Sequence, residues 1–507
     1  MKTYHTIKTL ALGGIAMFSL ASCSLDYEPL SEPSEITQGG QTETSTAVLK
    51  DKAAADAQLK SLYELFRNRQ EHTHLDYLLI GDSHSDNAYA GTTGAEVVPY
   101  ETNSIDASNS VLSRDWNRYL EDIAQANVLI NGVEQLKENG QISEAEYHSY
   151  KAQGEIFRAL MMFRMARLWG SFPVITTIAK TITSDNINEV YPTYYPPRKT
   201  PKECYEQIIA DLTDAEQYAP DNDNSDRTKM TKTVAQAMLA KVYAEKEVQD
   251  YDKVIAYADK VMNTTGVELE DSYETLWGYD ETAIDCMKRN TKEGILEVHW
   301  SGGGNWETWM YGRQLDNWDY YFTWAKWITP SRDIINDFDK EGDEVRKNQA
   351  IVYYACTWSN YYPASNYPFM YKLRSSYSNI YWVRLADIIL MKAEAEAYKG
   401  NLAESAKLVN QIRQRAKLKD LTSDKTGSKE AMIEAVLHER RLELAFEGER
   451  WFDLCRNNKV EKYLNGIDNR DSGRIRQVKQ FDSNSYLLPI PQTALDQNTN
   501  LEQNPGY

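Results

Sequence analysis

The densest potential chemistry in the sequence is aromatic. Seven of the twelve Trp fall between Trp277 and Trp327. In Asn305-Trp306-Glu307-Thr308-Trp309-Met310-Tyr311-Gly312-Arg313-Gln314-Leu315-Asp316-Asn317-Trp318-Asp319-Tyr320-Tyr321, rings alternate with hydrogen-bonding side chains directly after the turn Ser301-Gly302-Gly303-Gly304. Sugar recognition needs that mixture: C–H faces pack on flat rings, while hydroxyls need planar donors and acceptors at the rim. Trp306, Trp309, Trp318, Tyr320 and Trp324 are therefore candidate ligand-binding residues. A purely structural assignment stands beside this one, because Trp306 and Trp309, three apart, also fit the buried face of a short helix. Trp324 and Trp327, ahead of a helix start expected at Thr329-Pro330, carry the same ambiguity.

Motifs for covalent or metal chemistry are missing. Glu439, Glu443 and Glu447 recur at i, i+4 and could be mistaken for paired catalytic carboxylates. On one expected helix with Arg440 and Arg441 between them, they read instead as an ion-pair lattice. His72, His74 and His84 have no third ligand at helical spacing and are expected in loops. No metal-binding helix, phosphate-cradling loop or nucleophile elbow occurs, so the chain is expected to be a non-enzyme without cofactor or metal. Cys204, Cys286, Cys356 and Cys455 are far apart and read mostly as small buried hydrophobes, with three disulfide pairings formally open.

Residues 1–22 have the layout of a secretory signal: Lys2 and Lys8, an apolar run to Leu20, then small residues. Leu20-Ala21-Ser22-Cys23 fits a lipoprotein cleavage box, which makes Cys23 the expected lipidation site. Residues 23–43 read as a flexible tether. No later apolar run reaches membrane-spanning length, so the lipid is the expected anchor. The net charge of −19 argues against nucleic acid, since a polyanion is repelled unless a local basic patch overrides the field.

Helical periodicity marks the elements that must hold these residues. It appears over 47–69, around Trp116 to Ile130, and over Glu144 to Leu168, where Gly170 and Pro173 stop it. Thr200-Pro201-Lys202-Glu203 is a helix start with cap, first-turn Pro and capping-box Glu. Two close helical pairs follow, 231–244 with 251–261 and 383–398 with 402–416, and a long helix is expected over 429–450. Short turns and small residues at the contacts suggest all-α, tetratricopeptide-like packing, with the scaffold at about 44–265 and 380–460. The intervening 266–379 is too long for a connector and reads as an irregular, aromatic-rich insertion carrying the ligand face. Residues 461–507 form an irregular C-terminal segment of what is otherwise one domain, 44–507.

Glu439-Arg440-Arg441-Leu442-Glu443-Leu444-Ala445-Phe446-Glu447-Gly448-Glu449-Arg450-Trp451-Phe452-Asp453-Leu454 resembles the C-terminal signature of the SusD/RagB family of outer-membrane nutrient-binding lipoproteins. The resemblance continues in Arg384-Leu385-Ala386-Asp387-Ile388, in Val409 to Ala416, in Tyr486-Leu487-Leu488-Pro489-Ile490-Pro491 and in Gly154 to Ala159. It implies a lipid-anchored outer-membrane protein facing the cell exterior, capping a SusC-like TonB-dependent barrel and passing it captured ligand. Oligosaccharides are the ligands it usually implies, and peptides are the alternative. In the family a loop near the first helices also lines the site. That makes Gly81-Asp82-Ser83-His84-Ser85-Asp86-Asn87-Ala88-Tyr89 a second candidate, with Asp86, Asn87 and Tyr89 as ligand-binding residues.

Overall fold

The structure, a computed structural model, describes residues 49–91, 94–301 and 327–507. The signal peptide, the tether, Cys23, Trp306, Trp309, Trp318, Tyr320 and Trp324 lie outside the described residues.

The fold is all-α and tetratricopeptide-like. α1 (Lys52–Asn68) is capped by the Asp51 carboxylate. α2 (Ser110–Glu138) packs on α3 (Glu144–Trp169), which opens with a Ser143/Glu146 capping box and stops at Gly170, φ 73°. A Cβ at that glycine would also sit 2.7 Å from the Leu487 side chain. α4 (Pro201–Tyr218) starts at the Thr200/Glu203 box read from the sequence, followed by α5 (Lys232–Ala244) and α6 (Tyr251–Met262). Fully buried Ala237, Ala240 and Ala258 let these last two approach closely. The stack continues through α9 (Leu385–Lys399) and α10 (Leu402–Arg415), each helix covering its neighbour's apolar face.

The insertion adds small elements. β1 (Ala88–Tyr89) from the early loop pairs antiparallel with β3 (Thr329–Pro330), and β2 (Gly294–His299) pairs with β6 (Asn379–Arg384). Between them lie α7 (Arg332–Glu341), α8 (Glu344–Ala350) and a hairpin of β4 (Ile351–Tyr354) with β5 (Tyr367–Met370). Trp300 is wholly buried and Trp277 nearly so, so these two of the clustered Trp are core.

Several expectations change. The helix expected from Thr329-Pro330 begins instead at Ser331, which caps α7, because Thr329 and Pro330 are taken by the β1 pairing. Val383 and Arg384 end β6 rather than open a helix. The long helix over 429–450 is broken into α11 (Lys429–Glu443) and α12 (Arg450–Arg456). Phe446 (φ 60°) and Gly448 (φ 80°) reverse the chain there, turning their amides toward Asp82. His72 and His74 lie in a helical turn, not a loop, and His84 caps the next one; all three are buried. Among the described residues no disulfide joins the four cysteines; Cys204 and Cys356 are buried and Cys286 and Cys455 partly so.

Candidate functional site

The early loop is locked to the C-terminal signature. Asp82 accepts hydrogen bonds from Phe446 N at 3.1 Å, Gly448 N at 2.9 Å and Asn87 Nδ2 at 2.8 Å. Gly81 and Gly448 touch so closely that a Cβ on Gly81 would fall 2.2 Å from the Gly448 carbonyl oxygen, which excludes any larger residue. Asp86 is gripped through both carboxylate oxygens by Arg450 at 2.8 and 2.9 Å, and Arg441 donates to its carbonyl at 2.9 Å. Burial alone would push this carboxyl up, yet the guanidinium groups of Arg441 and Arg450 hold it far below the usual carboxylate range. Asn87 Oδ1 accepts from Arg441 Nε at 3.0 Å.

Asp86, Asn87 and Tyr89 each have no exposed surface, and their polar atoms have protein partners. A turn signal in a sequence cannot disclose this burial. Their observed work is to fix β1, and through it the start of α7: Ser331 N donates to the Asn87 carbonyl at 2.9 Å and Ser331 Oγ to the Asp86 carbonyl at 2.6 Å.

The signature glutamates are paired, though not with the arginines between them. Glu443 meets Arg384 at 2.6 Å and Arg346 at 3.2 Å, and also Arg415. Glu439 meets Arg346 at 2.7 Å and Arg413 at 2.9 Å; Glu447 meets Lys372 at 2.6 Å and Arg384 at 2.7 Å. Arg440 instead pairs with Asp387 and Asp453, both at 2.8 Å, and Arg441 with Asp333 at 2.9 Å. Burial pushes the Glu443 carboxyl up, but Arg415, Arg384 and Arg346 outweigh it and hold it ionised. Held ionised in this way, Glu443 offers neither a raised-pKa acid nor a free nucleophile.

A face of rings lies next to β1. Val352 and Tyr354 on β4 pair with Phe369 and Tyr367 on β5, so all four project to one side of the hairpin. Trp358 meets Tyr367 at 5.6 Å and Phe369 at 6.0 Å between ring centroids. Tyr362 meets Tyr367 at 5.7 Å and Tyr89 at 6.1 Å, while Tyr361 stacks on Tyr89 at 4.2 Å and 19°. The result is an arc of rings whose accessible members are Tyr354, 38% exposed, and the half-buried Trp358 and Tyr362, over the buried rings of Tyr361, Tyr367, Phe369 and Tyr89. The arc is tied to the strand that leaves the Trp-rich segment. Tyr362 donates to the Pro330 carbonyl at 2.8 Å, Thr329 and Tyr367 share a hydrogen bond of 3.1 Å, and Ser83 donates to the Trp327 carbonyl at 3.0 Å. The sequence reading passed over these rings because it followed Trp density. The doublets Tyr353-Tyr354 and Tyr361-Tyr362 flanking Trp358 were the available signal.

Two family models match. Residues 367–507 match the one described as SusD family, and residues 41–244 the one described as starch-binding, associating with outer membrane. The chain is a member of the SusD/RagB family. The SusD-like protein P2 of Formosa agariphila is 27% identical over 441 residues, spanning 79% of this chain and 81% of that relative. Among solved structures, a SusD homolog from Bacteroides thetaiotaomicron superposes with a TM-score of 0.73 at 20% identity, covering 92% of this chain and 99% of that one. A laminarin-binding SusD-like protein superposes with a TM-score of 0.70 at 23% identity, covering 90% and 100%. At these identities the superpositions establish the SusD-like fold. No helix among the described residues is long and apolar enough to cross a membrane.

Proposed function

We propose that this chain is a cell-surface glycan-binding lipoprotein, anchored through Cys23, that captures oligosaccharide and hands it to a SusC-like TonB-dependent outer-membrane transporter. The observation that carries this reading is the arc from Tyr354 to Tyr89, joined by hydrogen bonds to the strand that follows the Trp-rich segment. The accessible rings of the arc, Tyr354, Trp358 and Tyr362, offer stacking surfaces to a sugar, and the starch-binding description of one matching family model points the same way. Trp306, Trp309, Trp318, Tyr320 and Trp324 supply further stacking rings in this reading, while Asp86, Asn87 and Tyr89 support the face from behind.

The test is a binding screen of the protein lacking residues 1–23 against plant, microbial and host glycans and against peptide pools. Glycan capture without turnover is expected. At least one of Trp306→Ala, Trp309→Ala, Trp318→Ala and Trp324→Ala should weaken capture about 5- to 150-fold, the range of stacking contacts, with little change in melting temperature. Capture of peptides and no glycan would replace the reading with peptide transport. The anchor is tested separately: Cys23→Ser should leave the membrane fraction in cells lacking the barrel partner.

A further inference from the structure

One cation beside the arc has no direct ion pair: Arg332 and Asp471 meet only through the Tyr89 hydroxyl, which donates to Asp471 at 2.6 Å. Arg332 is the first residue of α7, where the helix dipole presents its positive end and a cation is disfavoured. Among the described residues its guanidinium forms no salt bridge. It lies 4.2 Å from the centroid of the Tyr362 ring, donates to Tyr89 Oη at 3.2 Å and also donates to the Tyr361 carbonyl. The chain makes room for it: a Cβ on Gly473 would come within 1.4 Å of its Nη1, so only glycine leaves that space. Arg332 is half-buried rather than enclosed.

The same corner is basic in a chain of net charge −19. Residues 470–479 hold four cations and the acid Asp471; Arg470 is paired with Asp333 at 2.9 Å and Arg474 with Asp471 at 3.7 Å, which leaves Arg476 and Lys479. Arg476 and Lys479 are exposed and form no salt bridge among the described residues. The strip is fixed beside the arc, since Glu101 accepts from Ile475 N at 3.0 Å through one oxygen and from Tyr361 Oη at 2.7 Å through the other. Arg474 is interior, donating to the Ala88 carbonyl at 3.1 Å beneath Tyr89.

We propose that this corner reads an anionic substituent, a carboxylate or a sulfate ester, on the bound glycan, so that the ligand is an acidic oligosaccharide. The inference rests on the glycan-binding reading above. A half-buried guanidinium has five N–H donors, more than its two protein acceptors use, and matches the paired oxygens of either group. Rings beside it supply the sugar contact that a basic patch for protein or nucleic acid would not need. An acidic protein selects for such a ligand only where positive charge is concentrated, and along this arc it is concentrated here.

The test uses two matched pairs of polymers: polygalacturonate against its methyl ester, and dextran sulfate against dextran. Affinity of the protein lacking residues 1–23 is measured at about 20 mM and about 500 mM NaCl, which spans weak to strong screening. At least one acidic member should bind about tenfold or more tighter than its neutral partner at low salt and lose that advantage at high salt; which pair responds distinguishes carboxylate from sulfate. Arg332→Gln should remove about tenfold of the affinity for the acidic member alone. The surface pair Arg476→Gln/Lys479→Gln, away from any packing, should remove a few-fold. Equal binding of neutral and acidic members overturns the inference and leaves the glycan reading standing. Binding of none of the four overturns it as well, and the wider screen then decides the glycan reading by itself. Tight acidic binding that neither variant weakens places the anion elsewhere and equally overturns the assignment.

Discussion

Two arginine-rich regions of this molecule behave in opposite ways. Around α11, Arg346, Arg384, Arg413, Arg415, Arg440 and Arg441 each meet at least one carboxylate within 3 Å, and almost all of that charge is buried. At the aromatic arc, Arg332 meets the Tyr89 hydroxyl, the Tyr362 ring and the Tyr361 carbonyl, and among the described residues forms no salt bridge, with Asp471 reached only through Tyr89. The first region has consumed its charge internally and can only hold the fold together. The second keeps charge and ring surface facing outward, which is what recognition needs. Arginine content alone would rank the first region higher; the count of carboxylates around each guanidinium reverses the order.

The largest effect should come from breaking the saturated region. Arg384 bridges Glu293, Glu443 and Glu447, so Arg384→Met leaves these three buried carboxylates with only Arg346, Arg415 and Lys372 to offset them and should cost about 3–5 kcal/mol, read as a large fall in melting temperature. Asp86→Asn removes the anion that Arg450 and Arg441 share, and an unfolding midpoint lowered by a comparable amount is expected. Either variant retaining the parent's stability would mean that the lattice is not saturated as described.

On the arc, Tyr354→Ala and Tyr362→Ala should reduce glycan affinity by about 1–3 kcal/mol with little loss of stability. Tyr353, equally exposed at 38%, points to the other side of β4 and supplies the control. Tyr353→Ala should bind normally in the same titration, and a loss equal to that of Tyr354→Ala would move the site to the wrong face.

A smaller, pH-dependent difference is expected from two buried groups. Burial lowers His84 to about 4, so the unfolded chain carries the extra proton between pH 4 and 6.5, and the contribution of His84 to stability grows as pH rises through that window. Burial raises Glu155 to about 8 against the pull of Lys151; the folded chain carries the extra proton there, and stability from this group falls as pH rises from about 4.3 to 8. Subtracting the melting curves of His84→Gln and Glu155→Gln from the parent's should reveal slopes of opposite sign. Slopes of the same sign would contradict the buried, neutral imidazole.

The scaffold was legible in the sequence because helix caps and apolar spacing are local. Thr200 with Glu203 and Gly170 after Trp169 announce their helix ends without knowledge of anything distant. Lys429 to Arg450 misled because Glu443, Glu447 and the arginines keep helical spacing through a turn that exists only to reach Asp82. Ion-pair partners were illegible for the same reason. Glu443 is one turn of helix from Glu439 in sequence, but its partners Arg346, Arg384 and Arg415 come from three other elements. At the candidate site, the mixture of rings and hydrogen-bonding side chains was readable as residue types, whereas Asp86 and Asn87 looked like a polar rim and are interior. Exposure of a polar loop residue depends on what folds over it, and here that cover comes from α11, α12 and the turn between them.

The contact between Gly81 and Gly448 also governs when the molecule can form. The bond from Gly448 N to Asp82 joins residues 366 positions apart, so closing that loop uses chain entropy long before any packing repays it. Helices of the first layer can form while synthesis is under way, but Asp82 and Asp86 have no cations or amides to meet until nearly all of the chain has emerged. Closure of this loop is therefore expected late in folding. An N-terminal fragment stopping before Arg440 should remain an aggregation-prone, loosely helical species rather than a smaller version of the protein.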